Sequence, residues 1–146
     1  MTNYIYTYGV FDLLHPGHVR FLKKCKELMP SSYLIVGVIS DSEVRKNKDP
    51  RKPILSQNDR MEILSHLNTV DRVMLQHTYD PVPNLINLKN EGLKIEILAK
   101  GDDKFQIHGE KYLIDNGGKF VFPKYENEFS TSDIIKKIVQ NFTQKE

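Results

Sequence analysis

Tyr8-Gly9-Val10-Phe11-Asp12-Leu13-Leu14-His15-Pro16-Gly17-His18 is the stretch whose reading decides the fold. Ahead of it, Ile5-Tyr6-Thr7-Tyr8 is apolar, aromatic and β-branched, the composition of a buried strand. Behind it, Val19, Leu22, Cys25 and Leu28 recur at helical spacing, with Phe21 and Met29 beside them. The piece between is therefore a strand-to-helix turn at the carboxyl end of a strand, where open α/β sheets place their ligands. Gly9 allows close backbone approach, and Pro16-Gly17 suits the opening of a helix. His15 and His18, three residues apart, can project toward one volume. An anion there would meet free backbone N–H groups and the positive end of a helix.

With 146 residues the chain has the length of one ordinary domain, and we expect a single unit over 1–146. Charged residues at 27% and hydrophobic ones at 39% suit a globular protein and exclude a disordered one. A net charge of +2 is too small to argue for nucleic acid or a membrane surface. The single cysteine, Cys25, sits on the apolar side of its helix, has no partner for an intrachain disulfide, and reads as core. No basic segment precedes a long apolar run, and no stretch approaches the length of a membrane span. We expect a cytoplasmic protein with no membrane insertion.

Working outward, Tyr33–Ile39 is a second strand, nearly continuous in apolar character, as in a parallel sheet covered on both faces. Val44–Pro53, with Arg45, Lys46, Lys48, Arg51 and Lys52, reads as a basic loop. Ser56 and Asp59 resemble a cap for a helix whose apolar side is Met61, Ile63, Leu64 and Leu67, with Arg60 near its start. Val70–Leu75 is a third strand. Asp80-Pro81 opens a helix to about Lys89, with Leu85, Ile86 and Leu88 inward and Gly92 as its stop. Ile95, Ile97 and Leu98 form a fourth strand, Ile107–Ile114 a short helix, and Phe120–Phe122 a fifth strand. Ser130 to Asp133 cap a last helix with Ile134, Ile135, Ile138, Val139 and Phe142 inward. The alternation implies a Rossmann-like α/β domain with a five-stranded parallel sheet flanked by helices and right-handed crossovers.

Loops after parallel strands open on one edge of the sheet. That edge would carry the Gly9–His18 turn, the basic loop, Lys100-Gly101-Asp102-Asp103, and Lys124 to Ser132. Two histidines, several cations, two acids and a hydroxyl-rich helix start suit a polyphosphate with a divalent ion. No Gly-x-Ser-x-Gly elbow, Gly-x-Gly-x-x-Gly fingerprint or Walker sequence is present.

Gly9-Val10-Phe11-Asp12 with His15-Pro16-Gly17-His18 resembles the paired signature of the HxGH nucleotidyltransferase superfamily related to class I tRNA synthetases. The cytidylyltransferases, and among them the glycerol-3-phosphate branch, match best over nearly the whole chain. Lys48 falls on that family's lysine after the second strand, and Arg60 on its arginine at the next helix. Val70-Asp71-Arg72-Val73 resembles its Val-Asp-Glu-Val, Gly101-Asp102-Asp103 its Gly-Asp-Asp, and Ser130-Thr131-Ser132 the end of its Arg-Thr-x-Gly-Ile-Ser-Thr-Ser motif. Departures are Val10 for threonine, Asn68 and Lys124 for arginines, Lys104 for tryptophan, and Tyr125–Phe129 for the short Thr-x-Gly-Ile segment.

The resemblance implies attack by an acceptor's phosphate oxygen on the α-phosphorus of CTP, with Mg2+-bound pyrophosphate leaving. The acceptor would be a small phosphorylated molecule such as glycerol 3-phosphate, and the assembly a homodimer. His15 and His18 would donate hydrogen bonds to phosphate oxygens, and Lys48 and Arg60 would neutralise charge. Tyr8, Gly9, Val10, Phe11, Asp12, Gly17, Lys100, Gly101, Asp102, Asp103, Lys124, Ser130, Thr131 and Ser132 would surround the nucleotide. Asp12 could orient the turn or help hold the magnesium–phosphate unit, and helix capping accounts for part of Ser130–Ser132. His66, His77 and His108 are scattered and are assigned no metal. Two alternatives stand beside CTP transfer: an adenylyltransferase using ATP, and a nucleotide-binding module without turnover.

Overall fold

The apolar run before the histidine turn is strand β1 (Asn3–Gly9), the centre of a computed structural model that describes residues 1–101, 108–126 and 128–143. It is followed by α1 (Pro16–Lys26), β2 (Ser32–Ile39), α2 (Asp41–Asn47), α3 (Gln57–Ser65), β3 (Arg72–Gln76) and α4 (Val82–Asn90). Then come β4 (Ile95–Ala99), α5 (Glu110–Asp115), β5 (Lys119–Val121) and α6 (Thr131–Thr143). All four strand pairings are parallel, in the order β3-β2-β1-β4-β5. The chain turns to β2 on one side of β1 and later crosses to β4 on the other. The crevice at that reversal is where such sheets bind ligands.

Alternation along the strands builds two cores. Ile5, Leu34, Val36, Val38, Ile97 and Ala99 meet Phe21, Leu22 and Cys25 of α1 and Leu64 of α3. On the other face Tyr6, Tyr8, Ile35, Ile39 and Leu98 meet Val44 of α2, Leu85 and Leu88 of α4, and Leu113 of α5. Burial of both faces explains why β2 reads as a continuous apolar run rather than an alternating one.

Four local expectations change. The first part of the expected basic loop is helix α2. It buries only Val44 and is specified by its ends: Ser40 Oγ accepts from the Glu43 N–H (3.3 Å), Asp41 and Glu43 occupy the first turn, and Arg45 and Lys46 the last. Ile86, expected inward, is 42% exposed, and Val19 and Ile63 are likewise exposed. The last helix buries none of its residues, and Ile138, Val139 and Phe142 face outward. Periodicity identified an apolar side there without specifying what covers it. Helix α5 begins only at Glu110, and Ile107 lies outside the described residues. No helix among the described residues is long and apolar enough to cross a membrane.

A buried polar network crosses the sheet beneath the site. Tyr6 Oη donates to Gln76 Oε1 (2.6 Å) and accepts from Asn84 Nδ2 (3.0 Å), which also donates to the Leu75 carbonyl (3.0 Å). Burial holds the Tyr6 phenol well above its usual pKa, so it stays a neutral donor. Gly37 on β2 makes room: a Cβ there would stand 2.1 Å from Tyr6 Oη and 2.8 Å from Gln76 Oε1. Gly37→Ala should therefore destabilise the fold by about 2–3 kcal/mol. Denaturant unfolding measures this, and a loss below about 0.5 kcal/mol would show that the network yields without strain.

Candidate functional site

The turn after β1 is held in a conformation that ordinary residues avoid. Phe11 and Leu13 take φ of 55° and 48°, on either side of Asp12. Asp12 offsets that cost by tying three segments together. Its carboxylate accepts from the Ile54 N–H (2.7 Å) and the Leu55 N–H (2.9 Å), while its carbonyl accepts from Thr131 Oγ1 (2.9 Å). The loop before α3 and the start of α6 are thereby drawn to the end of β1. Phe11 folds back over Gly9, where a Cβ would approach its ring to 3.0 Å.

Both histidines are held by the helix they open. His15 is the N-cap of α1, and its Nδ1 accepts from the Gly17 N–H (3.1 Å). His18 Nδ1 accepts from the His15 N–H (3.3 Å), which completes a reciprocal capping box. The rings stack with centroids 3.7 Å apart. An Nδ1 that accepts a hydrogen bond carries no proton, so each neutral ring bears its proton on Nε2. Burial lowers the pKa of His15. Burial, then the adjacent His15, pushes His18 down to about 4, against an opposing pull from Asp12. At neutral pH the turn presents two neutral Nε2–H donors.

These rings border a cavity of about 390 Å³ at the carboxyl edge of the sheet. Tyr8, Gly9, Val10, Phe11, Asp12, Gly17, Lys48, Lys100, Gly101, Ser130, Thr131 and Ser132 line it with them. Lys100 is buried, with its ammonium 4.4 Å from the Tyr8 ring centre. Ser130 Oγ accepts from the Asp133 N–H (3.0 Å) and so caps α6, whereas Ser132 Oγ accepts from Lys52 Nζ (3.1 Å). Among the described residues no three His, Cys, Asp or Glu side chains are grouped to hold a metal.

Two expected site residues lie elsewhere. Arg60 does not line the cavity: it is 1% exposed, and each of its three guanidinium nitrogens donates a hydrogen bond. It donates to the Leu55 carbonyl (3.0 Å), the Val10 carbonyl (2.7 Å) and Asp41 Oδ1 (2.7 Å). Lys124 is exposed and outside the lining, and Asp102 and Asp103 fall outside the described residues. The structure adds Lys52, Tyr79, Tyr125 and Phe129 to the lining. Phe129 stacks near His15 (6.1 Å) with the Arg20 guanidinium 5.6 Å from its ring centre, and Tyr125 packs on Phe21 (5.3 Å). The signal for Lys52 was present in the basic run, and that for the aromatic pair in the rewritten late segment.

A family model described as cytidylyltransferase-like matches residues 6–137. The bifunctional protein HldE of Trichlorobacter lovleyi is 32% identical over 144 residues, 97% of this chain and 28% of that protein. HldE of Nitrosococcus oceani is 37% identical over 139 residues, 94% of this chain and 28% of its own length. The chain thus spans a little over a quarter of these relatives. Among solved structures, a lipopolysaccharide core biosynthesis protein from Thermoplasma volcanium is 30% identical with a TM-score of 0.70, covering 86% of this chain and 98% of that one.

The histidine pair makes stability depend on pH. An unfolded chain protonates His18 near pH 6.5, and the folded chain resists until about 4. Stability is then complete above pH 6.5 and falls as pH drops toward 4, by on the order of 1–3 kcal/mol. Denaturant unfolding at pH 7.5 and 4.5 should show this loss, and His18→Gln should reduce it. An unchanged pH dependence in the variant would assign it to other groups.

Proposed function

The chain belongs to the cytidylyltransferase-like family, and from that membership together with its HldE relatives we propose that it transfers an adenylyl group from ATP to a small sugar phosphate. The observation that carries nucleotidyl transfer is the pair of neutral histidines whose Nδ1 atoms are occupied by backbone N–H groups. Their Nε2–H donors are aimed by the helix cap and require no reorganisation as charge develops. The acceptor's phosphate oxygen forms a bond to the α-phosphorus while the bond from that phosphorus to the bridging oxygen of pyrophosphate breaks. A phosphate monoester dianion is an adequate nucleophile, so no covalent intermediate is needed. Alignment and charge stabilisation are the protein's contributions.

Lys48, Lys52 and Lys100 supply the cationic groups of the cavity. Lys52 takes the place in this reading that the resemblance gave to Arg60. Mg2+ enters on the triphosphate, since both carboxylate oxygens of Asp12 are bonded to backbone. A homodimer is part of the same reading. ATP and a sugar phosphate are favoured over CTP and glycerol 3-phosphate by the character of the relatives, which are HldE proteins and a lipopolysaccharide core biosynthesis protein. A core saccharide is assembled from nucleotide-activated sugars. The departures at Val10, Asn68 and Lys124 from the glycerol-phosphate pattern agree with this.

The test is pyrophosphate release with ATP or CTP against sugar 1-phosphates and glycerol 3-phosphate. ATP with a sugar phosphate should turn over fastest, and His15→Ala should lower kcat by about 10²–10³. Preference for CTP would return the nucleotide assignment to cytidine. Tight nucleotide binding without turnover on any acceptor would favour a binding module.

A further inference from the structure

His15 has a ring neighbour from a distant part of the chain. It stacks on His18 of its own helix, with centroids 3.7 Å apart, and beside Phe129, at 6.1 Å with 27° between the planes. The Arg20 guanidinium lies 5.6 Å from the Phe129 ring centre, so Phe129 sits against α1 with His15 and Arg20 both as neighbours. We propose that Phe129 is a positioning residue for the transfer: it holds the His15 ring at the angle that aims Nε2–H into the cavity, and it ties that donor to the start of α6. The inference rests on the nucleotidyl-transfer reading and adds to it a residue that acts through His15.

One hydrogen bond does not orient an imidazole. The Gly17 N–H holds His15 Nδ1 (3.1 Å), but the ring can still tip about that contact and carry Nε2 with it. A misplacement of about 1 Å costs on the order of a hundredfold in rate. Packing against the ring restricts the tipping. His18 draws its ring neighbours from the turn itself, His15 at 3.7 Å and Phe11 edge-on at 5.5 Å. His15 gains its second one from the segment before α6. His15 is 8% exposed and Phe129 36%, so the phenylalanine is the outer member of the group. Arg20, exposed on α1, completes the arrangement by cation–π attraction.

Phe129 also precedes the residues that open α6. Ser130 Oγ accepts from the Asp133 N–H (3.0 Å), and Thr131 Oγ1 donates to the Asp12 carbonyl (2.9 Å). Stacking on His15 therefore sets the start of α6 against the start of α1. Gly17 of α1 and Thr131 and Ser132 of α6 line the same cavity, so a polyphosphate there meets the positive ends of both helices. The family pattern has isoleucine immediately before its Ser-Thr-Ser, and isoleucine offers neither a ring to stack nor a face for a guanidinium. The aromatic contact thus belongs to this chain's own rewritten segment.

Steady-state kinetics and ¹⁵N NMR of histidine-labelled protein on Phe129→Ala, Phe129→Tyr and Arg20→Ala test this, with ATP and the sugar 1-phosphate that turns over fastest. Phe129→Ala should lower kcat about tenfold and leave the ATP dissociation constant within about threefold. In the same variant the separate Nδ1 and Nε2 signals of His15 should move toward an average, while those of His18 stay apart. Phe129→Tyr keeps the ring and should restore both the parent's kcat and its His15 spectrum. Arg20→Ala removes only an exposed guanidinium, leaves the fold intact, and should lower kcat about twofold to threefold. An unchanged kcat or a parent-like His15 spectrum in Phe129→Ala, or a loss confined to ATP affinity, would overturn the assignment; if that variant does not fold, a parent-like kcat in Arg20→Ala would do so. Absence of pyrophosphate release from the unsubstituted protein with every acceptor would instead overturn the transfer reading, while the His15 spectra still decide whether Phe129 orients that ring.

Discussion

Two backbone N–H groups at the start of α1 determine what this site can do. A helix begins with donors that have no partner inside it, and here the His15 and His18 rings accept two of them. Capping is usually assigned to serine, threonine or aspartate, whose side chains are then committed. An imidazole has a second nitrogen. The atom that satisfies the helix fixes the tautomer, and the other nitrogen is left as a donor at the cavity. One interaction thus serves folding and chemistry together, and the low pKa of His18 follows from the same burial.

The acid and the arginine nearest this turn are engaged in structure. Asp12 holds the Ile54–Leu55 backbone and the start of α6, and Arg60 spans Val10, Leu55 and Asp41 from a buried position. A charge so deeply buried is tolerated because its donors have partners. Together these residues join β1, α2, the loop before α3 and α6 around the histidines. The charge facing the cavity then comes from lysines, with Lys52 bridging to Ser132 from a segment 80 residues away. Point charges of this kind neutralise phosphates without imposing the fixed fork of an arginine.

The sheet was legible because its strands carry strong local signals: a nearly continuous apolar run in β2, the apolar Ile95, Ile97 and Leu98 in β4, and a glycine-bounded turn after β1. The histidine pair was legible because two imidazoles around Pro16-Gly17 have little packing purpose. Helix α2 was not, since it has no apolar stripe and depends on Ser40 and on charge at its ends. Arg60 reads in sequence as a surface or phosphate-binding cation, because nothing local announces three acceptors drawn from Val10, Asp41 and Leu55. Lys52 and Tyr79 reach the cavity only through tertiary contacts with α6 and α2. The apolar side of α6 was read from periodicity, but periodicity alone does not bury it.

The most direct measurement is ¹⁵N NMR of histidine-labelled protein across a pH titration. His15 and His18 should be neutral at pH 7, with Nδ1 bare and Nε2 protonated, and His18 should stay neutral until the pH approaches about 4. A proton on Nδ1 of either ring, or an imidazolium at pH 7, would contradict it, because the helix cap would then not be the interaction that sets the donors.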